Sequence, residues 1–244
     1  MRNIRIDLCY DGTRYRGWQR LTPADNTIQT KLETALSRIL EEPIELSASG
    51  RTDAGVHAMG QVANFHCHST MPCQQILEQL RKYLPEDIGV LHCTEVSERF
   101  HARLNARRKT YRYRIWNSQV PCVFERRFVA VVAEALDVQA MERAAKLLEG
   151  EHDFRAFCAN KNMKKSTVRR LDAITISRQG EELQIHYTGN GFLYNMVRIL
   201  TGTLVEVGQG TRRAESVTEL FGAKRSEAGF LMPPQGLCLM EVEY

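Results

Sequence analysis

Apolar residues recur along this chain with two different periods, and the two patterns alternate irregularly. Every second residue from position 4 to position 10 is apolar, which is typical of a strand with one buried face. A stripe with helical spacing follows at residues 28–40, and we expect Asn26 to cap that helix, with Gln29 in the reciprocal position. Because strands and helices alternate too irregularly for a βαβ barrel, the pattern predicts an α+β fold.

The remaining elements follow from the same two periods. Strand patterns occur at residues 44–48, 111–115, 174–176 and 183–187, the last two forming a hairpin around Gly180. Helical patterns occur at residues 74–84, from 141 to a left-handed cap at Gly150, and from 191 to 207, closed by Gly208.

Length and composition exclude several classes of protein. A chain of 244 residues can bury a substantial core, as one large domain or two halves. No stretch is apolar enough to span a bilayer, and we expect no secretory signal segment. The seven cysteines are scattered and form no Cys-x-x-Cys pair, which favours reduced thiols in a cytoplasmic protein. We predict no metal at residues 66–68, since adjacent strand residues point to opposite faces.

Basic residues cluster in several segments that also carry aromatic side chains. The net charge of +4 is uninformative by itself, and a basic run is usually only a solvated surface. Basic segments interleaved with aromatic rings suit a polyanion that carries stackable bases. Candidate RNA contacts within these segments are Arg14, Lys109, Lys164 and Lys165. Composition alone leaves nucleic-acid binding open.

The most specific motif is the Gly-Arg-Thr-Asp-Ala-Gly-Val-His-Ala block at residues 50–58. Asp53 lies between two glycines, with Arg51 two residues before it and His57 four residues after it. Glycines at such positions let the backbone turn sharply and approach a ligand closely. The block therefore predicts a loop that presents one carboxylate to a substrate.

This block resembles the signature of the bacterial tRNA pseudouridine synthase I family (the TruA type), with Asp53 in the place of the catalytic aspartate. Further segments are similar to the family in the same order, at residues 10–13, 17–19, 27–29, 60–65, 100–103, 109–115, 150–154, 195–198 and 236–239. Two segments depart from the family pattern, Arg20-Leu21 and residues 230–232. We expect both to lie away from the chemistry and to affect substrate fit only.

The resemblance implies an architecture of two related α/β halves that share a continuous, largely antiparallel sheet. Helices would cover one face of the sheet, and an RNA-binding cleft would lie on the other. The N-terminal half, 1–105, would carry the Asp loop, and the C-terminal half, 106–244, would carry the tyrosine strand and the arginine helix. The resemblance also implies a homodimer.

The activity implied by the resemblance is isomerisation of uridine to pseudouridine at positions 38, 39 and 40 of the tRNA anticodon stem-loop. Uracil C5 is itself a carbon nucleophile, so we expect such an isomerase to need no redox cofactor, group donor or metal. One carboxylate must attack C1′ or assist deprotonation at C2′. The sequence leaves a C1′ adduct and a glycal intermediate both open.

The resemblance also assigns roles to individual residues. Asp53 would be the nucleophile, and Arg198 its ion-pair partner, because a cation within an apolar helix needs a partner. Tyr111 would be the platform against which uracil packs, and Arg51 would fill the gap left by the extruded nucleotide. For His57, a structural hydrogen bond and a proton-transfer role are both open.

Two competing functions remain at this stage. A non-catalytic RNA-binding protein could use the same aromatic and basic residues as a stacking platform. Binding alone, however, does not require a carboxylate facing phosphates, which favours the enzyme. A nucleosidase that releases the base would need water at C1′, and the sequence does not separate it from an isomerase.

Overall fold

The computed structural model describes residues 1–22, 25–160, 163 and 165–244. By their contacts, the residues group into two compact units, Met1–Arg107 with Leu239–Tyr244, and Arg108–Cys238. The predicted division at residue 105 stays a prediction, and the C-terminal residues Leu239–Tyr244 group with the first unit. None of the helices in the described ranges is long and apolar enough to cross a membrane.

The described residues form ten strands and four α-helices, which confirms the predicted α+β class. The strands are β1 (Arg2–Tyr10), β2 (Ser47–Ala48), β3 (His57–Cys67), β4 (Ile88–Val96), β5 (Arg108–Trp116), β6 (Ala130–Val131), β7 (Gly150–Asp153), β8 (Val168–Gln179), β9 (Glu182–Gly189) and β10 (Leu237–Glu243). The helices are α1 (Ile28–Leu40), α2 (Cys73–Tyr83), α3 (Val138–Leu148) and α4 (Met196–Gly208).

The first unit is built around β1, which pairs antiparallel with β3 and with β4. β10 lies on the other side of β3, and α2 packs on β4. Ile4, Ile6 and Leu8 of β1 are fully buried, as the alternating pattern predicts. The strand predicted at residues 44–48 is limited to β2. This arrangement places the last residue of β1 and the first residue of β3 beside the loop that carries Asp53.

The cap of α1 is Thr27 rather than the predicted Asn26. Thr27 Oγ1 accepts a hydrogen bond from the backbone N–H of Thr30 at 3.2 Å. The Asn26 side chain instead donates to the backbone carbonyl of Arg14 at 2.9 Å. Asparagine and threonine both favour the N-cap position. Here the Asn26 side chain bonds to the turn that precedes the helix, and Thr27 therefore provides the cap.

The second unit contains an antiparallel arrangement of β5, β9, β8 and β7, with β6 pairing parallel to β5. The predicted hairpin is confirmed, because β8 and β9 pair around Gly180, whose φ is +59°. α3 packs against α4 and β8, and α4 also contacts β5. The second unit therefore buries α4, the helix that carries Arg198.

Two predicted helix ends in the second unit are wrong. α3 ends at Leu148, and Gly150, although its φ is +104°, opens β7 instead of capping the helix. The helix predicted from residue 191 begins only at Met196, because Asn195 adopts a left-handed conformation with φ +61°. An L-residue in that conformation interrupts a right-handed helix.

Candidate active site

The backbone of the Asp53 loop is held by the N-terminal segment of the first unit. The hydroxyl groups of Tyr10 and Thr52 lie 2.8 Å apart in a buried hydrogen bond. The carbonyl of Thr52 accepts from the N–H of Trp18 at 2.9 Å, and that of Asp53 accepts from Val56 at 3.1 Å. The residue Asp53 is half-buried between these anchored neighbours. The loop thus holds its carboxylate in a defined place while leaving part of the residue accessible.

Three glycines make this close approach possible. A Cβ on Gly12 would lie 2.0 Å from the carbonyl oxygen of Val56. Gly17 has φ +93°, and a Cβ there would lie 2.7 Å from the carbonyl oxygen of Thr52. Gly55, with φ +77°, forms the turn within the loop itself. Because no other residue fits these positions without movement of the backbone, the glycines fix the path of the loop.

His57 is buried behind the loop, where its ring contacts the turn after β1. The backbone N–H of Gly12 donates to His57 Nδ1 at 3.0 Å. Since Nδ1 accepts this bond, we assign the ring proton to Nε2. Asp11 Oδ1 also lies 3.2 Å from Nδ1, but a nitrogen that accepts from Gly12 cannot donate to Asp11, so this contact is not an ion pair. The contacts favour the structural role of His57.

Two arginines of the first unit differ in their surroundings. Arg51 is exposed and makes no hydrogen bond or ion pair within the part of the chain that the structure describes. Its guanidinium is therefore available to a ligand next to Asp53. Arg14 is also exposed, but its Nη2 lies 2.6 Å from Asp87 Oδ2. An RNA phosphate at Arg14 would have to share the guanidinium with that carboxylate.

Tyr111 lies in β5 opposite Tyr187 and is largely buried. Its ring meets the ring of Phe192 edge to face, with 5.0 Å between centroids. Tyr113, on the same strand face, is fully buried and donates from its hydroxyl to the carbonyl of Pro233 at 2.6 Å. Burial raises the pKa of Tyr113 well above its usual value. Tyr113 is thus committed to packing, whereas Tyr111 keeps a small exposed fraction of 8%.

Arg198 lies in the first turn of α4, half-buried, with its guanidinium oriented by two neutral acceptors. Nε donates to the carbonyl of Met232 at 2.7 Å, and Nη1 donates to Asn195 Oδ1 at 3.1 Å. These acceptors fix the direction of the side chain. The geometry is that of a positioned cation and not of a side chain extended into solvent.

Residues 230–232, which we expected to lie away from the chemistry, contact Arg198 directly. The backbone of Met232 accepts from the guanidinium, and a Cβ on Gly202 of α4 would lie 2.0 Å from the carbonyl oxygen of Phe230. The expectation about their position is therefore wrong. Both contacts are made by backbone carbonyl groups of residues 230–232. The side chains of this segment can therefore differ from the family pattern without removing these contacts with α4.

Asn195 is a residue that the sequence reasoning missed as a support for Arg198. Its left-handed backbone places it just before α4, and its side chain accepts from Arg198. Asparagine is enriched among the non-glycine residues that adopt this conformation. An Asn immediately before an apolar helix could therefore have indicated that the helix begins after residue 195.

Substitution of Asn195 tests whether its side chain orients Arg198 for the reaction or only stabilises the folded protein. Asn195→Gly keeps the left-handed backbone but removes the acceptor, and should lower turnover roughly tenfold, since a hydrogen bond to a charged group contributes ~1.5 kcal/mol or more. Asn195→Asp keeps an acceptor, but its carboxylate would pair with Arg198 and compete with Asp53, so it should also lower turnover; the parent protein is the control. Pseudouridine yield and thermal unfolding of each variant provide the measurement. Full activity in Asn195→Gly would show that Arg198 does not need this acceptor.

The remaining candidate RNA contacts lie in the second unit. Lys109 is half-buried in β5, opposite Gly189, and Lys165 is exposed. Lys164 lies outside the described residues. Within those described, no three His, Cys, Asp or Glu side chains are grouped so that they could hold a metal ion.

Comparison with known proteins identifies relatives over almost the whole chain. A family model described as tRNA pseudouridine synthase matches residues 9–105 and 144–244. The chain is similar to tRNA pseudouridine synthase A of Bacillus sp. (strain KSM-64), with 46% identity over 94% of this chain and 95% of that one. It is 43% identical to tRNA pseudouridine synthase A 2 of Bacillus cereus (strain ZK / E33L), over 100% of both chains.

A third relative, tRNA pseudouridine synthase A of Pelobacter propionicus, is 44% identical over 100% of both chains. A solved structure described as a Cbf5-Nop10-Gar1 complex matches with a TM-score of 0.37 and 12% identity, over 96% of this chain and 57% of that one. That structural likeness is too weak to carry an argument. The family match and the sequence relatives are sufficient by themselves. The chain therefore belongs to the tRNA pseudouridine synthase family and is an isomerase that acts on uridine in tRNA.

Proposed function

We propose that this protein converts the uridines at positions 38, 39 and 40 of the tRNA anticodon stem-loop to pseudouridine, with Asp53 as the nucleophile. The observation that carries the proposal is the anchored loop around Asp53, in which the glycines at positions 12, 17 and 55 fix the backbone. A preorganised carboxylate loses little conformational freedom when the substrate binds.

The reaction needs a single carboxylate. In one route, Asp53 attacks ribose C1′ as the bond from C1′ to uracil N1 breaks, and the freed base rotates within the site. Uracil C5 then attacks C1′, the carboxylate leaves, and C5 loses its proton while N1 gains one. In the other route, Asp53 removes the C2′ proton as the bond from C1′ to uracil N1 breaks, which gives a glycal and the uracil anion. Uracil C5 then adds to C1′, C2′ takes its proton back, and C5 loses its proton while N1 gains one. Atoms and electrons balance in both without a cofactor.

Arg198 is proposed to keep Asp53 ionised. An aspartate that becomes covered by RNA loses hydration, which raises its pKa unless a cation lies nearby. The guanidinium of Arg198 is suited to this role because hydrogen bonds to Met232 and Asn195 hold it in one orientation. Arg51, which is exposed beside Asp53, is proposed to stack in the space left by the extruded uridine.

Tyr111 is proposed to pack against the target uracil, and this role predicts a difference between two variants. Tyr111→Phe keeps the ring and its contact with Phe192, and should retain most of the activity. Tyr111→Ala should lose roughly 10- to 100-fold, in line with the 1–3 kcal/mol of a base stacked on an aromatic ring. Turnover of both variants on the same tRNA decides the point. Equal inactivity would assign a chemical role to the hydroxyl.

The proposal also covers the partners and the location of the enzyme. We infer a homodimer and a cytoplasmic protein that uses no metal, with Arg14, Lys109, Lys164 and Lys165 as RNA contacts. Sedimentation at several protein concentrations tests the dimer. The salt dependence of tRNA binding tests the basic residues, because each lost phosphate contact flattens the slope.

One experiment tests the function as a whole. The protein is incubated with an unmodified tRNA transcript that carries uridine at positions 38, 39 and 40, and the products are mapped at single-nucleotide resolution. Pseudouridine at these positions is the expected result, and a transcript with cytidine there is the control. Free uracil would identify a nucleosidase. Binding without product would support the non-catalytic alternative, and pseudouridine elsewhere would refute the assigned positions.

A further inference from the structure

A short stretch of the first unit, residues 17–20, lies between the Asp53 loop and the start of α1, and we call it the bridging segment. On one side it contacts the loop. The N–H of Trp18 donates to the carbonyl of Thr52 at 2.9 Å, and a Cβ on Gly17 would lie 3.0 Å from the carbonyl carbon of Asp53. Because closely packed atoms transmit displacement, a shift of the bridging segment would move the backbone at Asp53.

The other side of the bridging segment is fixed by the first turn of α1. The carbonyl of Gly17 accepts from the N–H of Ile28 at 3.2 Å. The carbonyl of Trp18 accepts from the N–H of Gln29 at 3.0 Å. The Gln29 side chain also reaches the segment, since its Oε1 accepts from the N–H of Arg20 at 3.1 Å. The position of the bridging segment therefore depends on where the Gln29 side chain is held.

Glu33, one turn further along α1, holds the side chains of both Gln29 and Arg20. Its Oε1 accepts from Gln29 Nε2 at 2.8 Å and from the backbone N–H of Leu46 at 2.9 Å. Its Oε2 lies 2.9 Å from Arg20 Nη1. Glu33 is only 3% exposed, and a carboxylate is rarely buried this deeply unless its oxygens have partners. One buried carboxylate thus joins α1, the bridging segment and the approach to β2.

We propose that Glu33 is a positioning residue for the reaction, which holds the bridging segment against the Asp53 loop and so keeps the carboxylate of Asp53 in place. The connection runs from Glu33 through Gln29 and Trp18 to Thr52, the residue before Asp53. The inference rests on the proposed role of Asp53 and deepens it, because it explains how the first unit fixes the loop from outside.

Glu33→Gln is the test, because it preserves the size of the side chain and removes its charge. Glutamine ends in one oxygen and one NH₂ group, so the NH₂ must face a donor where the carboxylate now faces donors on both sides. We expect kcat to fall roughly tenfold, since a small misplacement of a reacting group slows a reaction strongly. KM for tRNA should stay within about twofold, because distributed phosphate contacts dominate affinity. A raised KM with kcat unchanged would overturn the inference.

A second measurement follows the bridging segment directly. Trp18 is 2% exposed, and the other tryptophan of the chain is Trp116. In a Trp116→Phe background, tryptophan fluorescence therefore reports on Trp18 alone. Glu33→Gln should increase the quenching of this fluorescence by acrylamide, because the segment is held less tightly. A lower kcat with unchanged quenching would overturn the inference, since the effect would not pass through the bridging segment.

Glu42→Gln is the matched control. Glu42 Oε1 also accepts from backbone N–H groups, those of His68 and Ser69, at 2.9 Å each. These two residues follow the last residue of β3, whereas the Asp53 loop precedes its first residue. Glu42→Gln should lower Tm without changing kcat or the quenching of Trp18. If Glu33→Gln also lowers Tm and leaves kcat unchanged, Glu33 only stabilises the fold and the inference fails.

Arg20→Gln breaks the same ion pair from its exposed side, so the test does not depend on the folding of Glu33→Gln alone. Arg20→Gln should also lower kcat and increase the quenching of Trp18. The double variant should lose no more activity than the more affected single variant, because both changes remove one shared contact. Losses that multiply would show independent roles for Arg20 and Glu33 and would overturn the inference.

The parent protein and Asp53→Ala, measured in the same assay, distinguish failure of this inference from failure of the proposed function. No pseudouridine from the parent protein, or product from Asp53→Ala, would refute the proposed function itself. An active parent protein, an inactive Asp53→Ala and a fully active Glu33→Gln would leave that function intact and overturn only the positioning role of Glu33.

Discussion

Asp53→Ala is expected to bind tRNA about as tightly as the parent protein and to form no pseudouridine. Distributed lysine and arginine contacts with phosphates dominate affinity for RNA, and removal of one acidic side chain does not weaken them. The chemistry, in contrast, depends on a carboxylate at one position. Asp53→Asn should behave in the same way, since a neutral amide is a poor nucleophile at carbon and a weak base.

Neighbouring carboxylates are not expected to replace Asp53. Asp7 is engaged by Arg5, whose Nε lies 2.7 Å from Oδ1. Asp11 Oδ1 accepts from the backbone N–H and the hydroxyl of Thr13. Affinity and pseudouridine yield should be measured on the same preparations, with Asp7→Asn as a control that retains activity. Substantial product from either Asp53 variant would remove Asp53 from its assigned role.

Arg198→Met is expected to reduce turnover by roughly 100- to 1000-fold, because loss of one preorganised electrostatic contact in an active site typically costs a factor of that size. Arg198→Lys should retain part of the activity, because an ammonium keeps the charge but cannot donate to Met232 and Asn195 in the same geometry.

The effect of Arg198→Met on activity must be distinguished from an effect on folding. The helix that carries Arg198 is largely apolar and buried, so methionine should be accommodated. Thermal unfolding of Arg198→Met and of the parent protein should therefore agree within a few degrees. A normal Tm with full activity would show that this arginine takes no part in the reaction.

Elements with alternating burial could be predicted from the sequence, because period two along β1, β5 and the hairpin of β8 and β9 directly encodes which side chains face the core. The Asp53 loop was predicted for a different reason. Its glycines indicate a sharp turn, and the resemblance of residues 50–58 to the family signature singles out Asp53 and Arg51.

Other features leave a weak signal in the sequence or none. Asn26 and Thr27 are both good capping residues at adjacent positions, and only the tertiary contact with Arg14 decides between them. The start of α4 depends on the backbone conformation of Asn195, which periodicity does not report. The support that Met232 gives to Arg198 comes from a carbonyl group, and every residue type carries one.

The tight approach of Gly12 and Gly17 to the Asp53 loop changes how loss of function should be interpreted. A methyl group at either glycine would push against backbone atoms of the loop rather than against a flexible side chain. Alanine there should displace the carboxylate by a fraction of an ångström, and such misplacement is enough to slow a reaction strongly. In a mutational scan, these two positions would be as intolerant as Asp53 although neither contributes a reacting atom. Intolerance to substitution would therefore identify residues that shape the backbone of the site as well as residues that take part in the reaction.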